Sequence, residues 1–159
     1  MDGIEVSGQS VEEAQKRQLP FSHFQRYDGE RLPFGDGLFD VVAFCVVMHH
    51  VPPKSQEALL RECRRVLKPS GALYVFEHNP LNPLTQYIVK RCPFDKDAIL
   101  LRSGEAVGLL RRTGFEVVTR RFINFFPNWF FPRKLMTMEK WFGCLPLGAQ
   151  YYIRAERRG

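Results

Sequence analysis

Apolar positions along this chain fall into short continuous runs and into stripes with helical spacing. The run 39–48 is the most hydrophobic, and its β-branched residues without polar alternation predict a central strand buried on both faces. The next apolar residues recur every three or four positions over 55–67 and predict a helix, and the run 72–76 predicts another buried strand. Residues 39–77 are therefore expected to form a right-handed parallel crossover.

Shorter patterns flank this unit. Alternating residues predict strands at 3–7 and 21–27, and between them Ser10 and Glu13 have the spacing of a capping box, which predicts a helix over 11–18. The C-terminal half is predicted to contain helices and two antiparallel strands: helices over 84–90, 103–112 with Ser103 as its cap, and 133–142, and strands over 115–125 and 150–158. Together the elements predict an α/β fold, an open and mostly parallel twisted sheet with helices on both faces and an antiparallel C-terminal strand.

Length and composition narrow the class of protein. A chain of 159 residues with 45% hydrophobic content is expected to fold as one domain over residues 1–159. The longest apolar stretch, 41–48, is far shorter than the ~20 residues that span a bilayer, and no signal sequence is visible. The four cysteines lack the spacing of a metal site or a disulfide framework. We therefore expect a cytoplasmic protein with reduced, buried thiols.

The net charge of +6 is concentrated in the C-terminal half. Residues 1–80 carry nine Lys and Arg against eleven Asp and Glu, whereas residues 81–159 carry fourteen against six. A basic half of this kind attracts nucleic acid, anionic lipid or a phosphorylated substrate, or is simply a solvated surface. Because the basic residues occur in scattered pairs without a binding motif, we expect no specific nucleic-acid partner.

Three motifs occur in a fixed order along the chain. They are DGERLPF at 28–34, FDVV at 39–42 followed by HHV at 49–51, and LLRE at 59–62 followed by RVLKPSG at 65–71. In this order and spacing they resemble the class I S-adenosylmethionine-dependent methyltransferases of the small-molecule branch. The resemblance implies a Rossmann-like sheet whose carboxyl edge binds S-adenosylmethionine, and an enzyme that transfers the methyl group to a small molecule.

The resemblance also implies which residues bind the adenosine part of the cofactor. Glu5, at the end of the first strand of this chain, matches the acidic residue that accepts both ribose hydroxyls. Asp28 matches the acidic residue that accepts from the adenine amino group, and Gly29 and Glu30 present their backbone beside the ring. Two structural interpretations stay open: Glu5 is an exposed strand-end carboxylate, and Asp28 is a turn residue before Gly29.

Further positions follow from the same resemblance. Cys45 and Val46 match the end of the fourth family strand, near the methionine part of the cofactor, and His50 matches a histidine just beyond it. Cys45 is otherwise a small buried side chain, and His50 is otherwise a loop cap. As candidate general bases for the acceptor we take His50 and His78, which follow neighbouring predicted strands. The structural alternative for His78 is a turn in which its ring only satisfies loop backbone.

The sequence departs from the family at its N-terminus. It contains no GxGxG motif, and it starts close to the strand that ends at Glu5, so the first family strand and its glycine-rich loop are missing. Two strand edges would then face each other across a gap of ~9 to 10 Å. The flanking strands pair directly, another chain donates a strand, as in a homodimer, or the sequence is N-terminally truncated, which we favour. We expect weak or absent cofactor binding by this chain alone.

The methyl acceptor is expected to be apolar or aromatic. Residues 122–131 hold five Phe and one Trp, where family members vary their substrate lids. Core packing is the alternative for this segment. Arg133 and Lys134, which follow it, suggest peripheral contact with an anionic membrane surface or with a phosphate.

Two other functions compete with catalysis. The first is a non-catalytic methyltransferase-like fragment that acts through dimerisation or partner binding. The second is a metal site formed by Cys45, His49, His50 and His78. We expect no metal site, because adjacent side chains such as His49 and His50 point in opposite directions on an extended chain.

Overall fold

The computed structural model describes residues 1–125 and 139–158 of the chain. Within these ranges the strands are β1 (Asp2–Glu5), β2 (His23–Arg26), β3 (Phe39–Cys45), β4 (Leu67–His78), β5 (Phe115–Ile123) and β6 (Gln150–Arg157). The helices are α1 (Gly8–Lys16), α2 (Pro53–Val66), α3 (Pro83–Arg91), α4 (Ser103–Arg112) and α5 (Glu139–Phe142). Short 3-10 turns occupy Met48–His50 and Pro93–Asp95. Arg133, Lys134, the apolar segment from residue 126 and most of the predicted helix 133–142 lie outside the described residues.

The strands form two separate sheets. β1 and β2 pair in parallel, and the second sheet has the order β3-β4-β6-β5. In the second sheet β3 and β4 are parallel, with α2 as the crossover between them, whereas β6 runs antiparallel to both β4 and β5. The predicted crossover and the predicted antiparallel pair are therefore confirmed, and the fold is the expected Rossmann-like α/β class.

The edges of β1 and β3 do not pair with each other. Among the described residues β1 pairs with β2 and β3 pairs with β4, so direct pairing of the two flanking strands, one of the three expected solutions, is wrong. The small sheet still reaches the hydrophobic core, because Ile4 of β1 and Tyr27 after β2 pack against it. This contact holds the two sheets together through side chains instead of through a backbone ladder.

β3 is less buried than its sequence predicts. Val42 and Phe44 are half-buried and pack against the core, but Val41, Ala43 and Cys45 are exposed, and Val41 is 54% exposed. The prediction of burial on both faces is wrong here. An apolar composition is typical of a buried strand, but burial also requires other elements that pack beside it. Within the described part of the chain, β3 has a partner strand along one edge only.

The core lies between the second sheet and helices α2 and α4. The buried face of α2 carries the predicted apolar stripe, and β4 and β6 present alternate residues towards it. Leu73 on β4 and Ile153 on β6 have no exposed surface, and neither does Cys63 on α2, where burial raises the pKa of the thiol. Cys45 and Cys144 are exposed, so the expectation of buried thiols is confirmed only for Cys63.

The helix caps differ from the predicted ones. α1 begins at Gly8, because the hydroxyl of Ser7 accepts a hydrogen bond from the Ser10 amide at 3.3 Å. The predicted box of Ser10 and Glu13 therefore lies inside the helix. At α4 the carboxylate of Glu105 accepts from the Arg102 amide at 2.8 Å, which makes Arg102 the cap residue in place of Ser103. In the described ranges, every helix is too short or too polar to cross a bilayer.

Candidate functional site

The carboxyl ends of β1 and β2 lie side by side. The two strands are parallel with Glu5 paired to Arg26, and the Tyr27 amide donates to the Glu5 carbonyl at 2.9 Å. The Glu5 side chain is exposed, and its Oε1 accepts from the amide of Val6 at 2.7 Å and, more weakly, from that of Ser7 at 3.4 Å. In the described structure its second oxygen has no hydrogen-bond donor, so this oxygen is available to a ligand hydroxyl.

Asp28 opens the turn that follows β2. Its Oδ1 accepts from the amide of Glu30 at 2.8 Å and from that of Arg31 at 3.3 Å. Gly29 between them has φ +89°, a conformation that favours glycine. The turn role considered for Asp28 is therefore present, and its exposed carboxylate keeps one oxygen without a donor among the described residues. The cofactor roles of Asp28, Gly29 and Glu30 remain predictions.

Arg65 and Glu62 on α2 hold the loop after Asp28 in place. Both residues belong to the third sequence motif, but the sequence alone did not indicate this role. Arg65 donates to the carbonyls of Leu32 at 3.0 Å and Phe34 at 2.8 Å, and it contacts both carboxylate oxygens of Glu62 at 2.7 and 2.9 Å. Glu62 in turn accepts from the Leu32 amide at 3.0 Å. The Arg65 hydrogen bond is the main reason that the pKa of Glu62 lies below its usual range.

The end of β3 is a tight backbone turn. Val46 has φ +60°, a strained value for a β-branched residue, and its amide donates to the Phe76 carbonyl at 2.8 Å. The next two amides, those of Val47 and Met48, donate to Oε1 of Glu77 at 2.9 and 2.6 Å. Glu77 is 1% exposed. One buried carboxylate on β4 therefore fixes the turn that follows β3.

The same carboxylate holds a buried histidine. Oε2 of Glu77 lies 2.6 Å from Nδ1 of His49, whose side chain has no exposed surface. Nε2 of His49 lies 3.5 Å from Oδ1 of Asp95 but has no hydrogen-bond partner. Burial acts to lower the pKa of His49, but the hydrogen bond with Glu77 and the negative charges of Glu77 and Asp95 outweigh it, so the pKa is raised.

The rings of the two predicted bases, His50 and His78, both lie close to the ring of His49. The His50 ring centroid is 4.1 Å from that of His49 and the His78 centroid is 5.4 Å from it. His50 is exposed, and its Nε2 is 3.3 Å from Oδ1 of Asp95. Burial, with the nearby His49, lowers the pKa of His78. The fold therefore brings these two predicted residues together around a third histidine.

Three members of this cluster were missed as site residues. His49 and His50 do not lie on an extended segment as expected, because Met48–His50 forms a 3-10 turn in which their ring centroids are 4.1 Å apart. A glutamate directly after the apolar run 72–76 is a signal for a buried acid, and Glu77 could have been recognised by it. Asp95 gives no such signal, since it lies 45 positions from His50 and only the tertiary fold joins them.

Comparison with known proteins gives a family match for the N-terminal part of the chain and structural relatives for its fold. Residues 1–75 match the family described as Methyltransferase domain. The structure of a Thermotoga maritima S-adenosylmethionine-dependent methyltransferase, a possible histamine N-methyltransferase, is similar over 98% of this chain and 72% of that one, with a TM-score of 0.74 and 23% identity. In sequence, residues 1–75 of this chain therefore resemble the methyltransferase domain family, and the fold is shared with the structure of an S-adenosylmethionine-dependent methyltransferase.

Curated relatives match over shorter segments. Human thiol S-methyltransferase TMT1A is 44% identical over 66 residues, which is 41% of this chain and 26% of that protein. The ubiquinone/menaquinone biosynthesis C-methyltransferase UbiE of Ectopseudomonas mendocina is 47% identical over 62 residues, which is 38% of this chain and 23% of that protein. The matched segments thus span about a quarter of each of these relatives.

Proposed function

We propose that this chain takes part in S-adenosylmethionine-dependent methyl transfer to a small apolar or aromatic acceptor. The observation that supports the proposal is the family match over 1–75 together with two exposed carboxylates, Glu5 and Asp28, at the carboxyl ends of adjacent parallel strands. A carboxylate at the first strand suits the ribose diol, because it accepts two hydroxyl protons. A carboxylate at the second suits the adenine amino group.

Titration with S-adenosylmethionine by calorimetry tests the adenosine site. We expect weak binding by this chain, and Glu5→Gln with Asp28→Asn should weaken it at least tenfold, which corresponds to about 1.4 kcal/mol. The control pair Glu12→Gln and Glu13→Gln makes the same charge change at exposed positions of α1 and should leave binding unchanged. Equal affinities of the two double variants would contradict the assignment.

The acceptor side is proposed at the histidine cluster. A general base must be unprotonated to take a proton, and the lowered pKa of His78 favours that state near neutral pH. The relatives named above are a thiol S-methyltransferase and a quinone C-methyltransferase, and both names refer to small molecules. With a thiol or a hydroquinone as acceptor, His78→Gln should lower kcat more than it changes KM for S-adenosylmethionine. A wild-type rate in His78→Gln would exclude this residue as the base.

A membrane surface is the partner that we propose for the acceptor side. Helix α3 exposes Leu84, Tyr87 and Ile88 on one face, each about half exposed, and ends with Lys90 and Arg91. An apolar face beside basic residues is typical of helices that lie on anionic lipid. Flotation with phosphatidylserine vesicles should recover the protein, and Leu84→Ser with Ile88→Ser should abolish recovery.

The matched control for the membrane experiment is Leu38→Ser. Leu38 is 52% exposed and lies directly before β3, away from α3 in the chain. This variant should float like the wild type. Recovery that is independent of anionic lipid, or insensitive to the α3 substitutions, would exclude the surface contact.

A non-catalytic role is the second candidate function. It is favoured by β1 and β3, each of which has an unpaired edge in the described part of the chain. Such edges can pair with another chain, including a second copy. Concentration-dependent dimerisation in sedimentation equilibrium, combined with no measurable S-adenosylmethionine binding, would favour this role. Cofactor binding by the monomer would favour the catalytic one.

A further inference from the structure

We propose that His49, His50 and Asp95 form a binding site for a divalent transition-metal ion of the zinc type. Within the described residues these three side chains each offer one ligand atom, and the three atoms lie within 4.8 Å of one another. The two histidines come from the turn after β3, and Asp95 comes from the 3-10 turn after α3. Two different parts of the fold are therefore needed to assemble the set.

The two separations that Asp95 makes with the histidines suit a small tetrahedral ion. Bonds of about 2.0 to 2.2 Å to nitrogen and oxygen place tetrahedral ligand atoms about 3.4 Å apart. Oδ1 of Asp95 is 3.5 Å from Nε2 of His49 and 3.3 Å from Nε2 of His50. The first distance is too long for a hydrogen bond that would account for the buried Nε2. An ion between the three atoms would give this orphaned nitrogen a partner.

The surroundings of His49 resemble those of metal-binding histidines in general. The ring nitrogen opposite the ligand atom, Nδ1, is 2.6 Å from the Glu77 carboxylate, which favours the tautomer with its proton on Nδ1 and the lone pair on Nε2. Glu77 is itself fixed by the amides of Val47 and Met48. The histidine is therefore oriented before an ion arrives, which lowers the cost of binding.

Charge balance favours a dication. Glu77 is fully buried and Asp95 is mostly buried, at 12% exposed, so two carboxylates face the buried His49, and Asp95 also faces the exposed His50. A divalent ion held by the three ligand atoms would balance both negative charges.

The donor set indicates the kind of metal. Two imidazole nitrogens and one carboxylate oxygen suit Zn²⁺, Co²⁺ or Ni²⁺, whereas Mg²⁺ and Ca²⁺ prefer oxygen ligands alone. Three protein ligands leave at least one position for water or another small ligand. His50 is 44% exposed, so the open position has a route to solvent on its side of the cluster.

Titration of the metal-free protein with ZnCl₂ by calorimetry tests the site, together with the visible spectrum of the Co²⁺ form. We expect one ion per chain, and a tetrahedral Co²⁺ spectrum. His50→Ala and Asp95→Asn should each weaken Zn²⁺ binding at least tenfold. Neither residue is fully buried, so urea unfolding without metal should stay close to wild type and show that both variants fold.

The matched control is His23→Ala. His23 is also paired with a carboxylate, Asp2 at 3.8 Å, but it lies exposed on β2, and its removal should not change Zn²⁺ affinity. A second control replaces the exposed thiols Cys45 and Cys144 with Ser and should also keep the affinity. No binding tighter than about 100 μM, unchanged binding in the two ligand variants, or binding lost with the thiols would each overturn the proposal. None of these measurements requires S-adenosylmethionine.

Discussion

Removal of the Arg65 guanidinium should release the loop that carries Asp28. Arg65 is 18% exposed and donates to the carbonyls of Leu32 and Phe34 and to Glu62 and Asp36. In Arg65→Ala these acceptors lose the guanidinium as their donor, and the mostly buried Glu62 keeps its charge with the Leu32 amide as its remaining donor. We therefore expect both lower stability and a less ordered loop.

The magnitude follows from the exposure of each contact. The two carbonyl hydrogen bonds contribute about 1 kcal/mol each, and the Glu62 pair contributes about 1 kcal/mol more. Asp36 is 78% exposed, so its ion pair adds little. Arg65→Ala should lower the free energy of unfolding by about 3 kcal/mol, and Arg65→Lys, which keeps the charge but not the planar fork, by about half of that.

Urea unfolding followed by circular dichroism measures this difference. The control is Arg61→Ala on the same helix, because Arg61 is 63% exposed and its ion-pair partner among the described residues is the partly exposed Glu57, at 3.2 Å. It should cost less than about 0.5 kcal/mol. Equal stability of the two alanine variants, or wild-type unfolding of Arg65→Lys, would contradict this role of Arg65.

Three smaller predictions follow from individual contacts. The pKa of Glu62 is lowered in the folded protein, so the stability that Glu62 contributes is present above its unfolded pKa and is lost as the pH falls through its folded pKa. Between pH 3 and 7, the free energy of unfolding measured in urea should therefore depend less steeply on pH in Glu62→Gln than in the wild type. Gly29→Ala should cost about 1 kcal/mol because of its φ of +89°, whereas Gly35→Ala, with open space and no such angle, should be neutral in thermal melts. Tyr151→Phe removes the 2.9 Å hydrogen bond to the Leu101 carbonyl and should cost about 1 kcal/mol by the same urea assay.

Much of the fold could be predicted because its signals are local. The apolar runs and the helical stripe of α2 identify the crossover 39–77, since periodicity depends only on neighbouring positions. Burial of β3 could not be predicted in the same way. Its composition fits a buried strand, but the exposure of Val41 depends on which elements lie beside it, and that is a property of the whole fold.

Some residues of the candidate site could likewise be predicted from local patterns, and others could not. Glu5 lies near the end of one predicted strand and Asp28 follows another, so their position at one edge of the small sheet could be expected from a parallel order of the two strands. His49 was assigned to an extended segment, and its contact with Asp95 depends on two 3-10 turns that no periodic pattern indicates. Local patterns therefore indicate where strands end, whereas turn geometry decides which side chains meet there.

The two halves of the candidate site are held in place by different residues. Arg65 and Glu62 on α2 hold the loop after Asp28, whereas Glu77 on β4 holds the turn that carries His49. No residue belongs to both sets of contacts, so the free-energy effects of substitutions in the two sets should add. Arg65→Ala should therefore weaken cofactor binding and leave Zn²⁺ affinity unchanged. His50→Ala should weaken Zn²⁺ binding and leave cofactor binding unchanged. Loss of both properties in either variant would mean that the two halves depend on one common element of the fold.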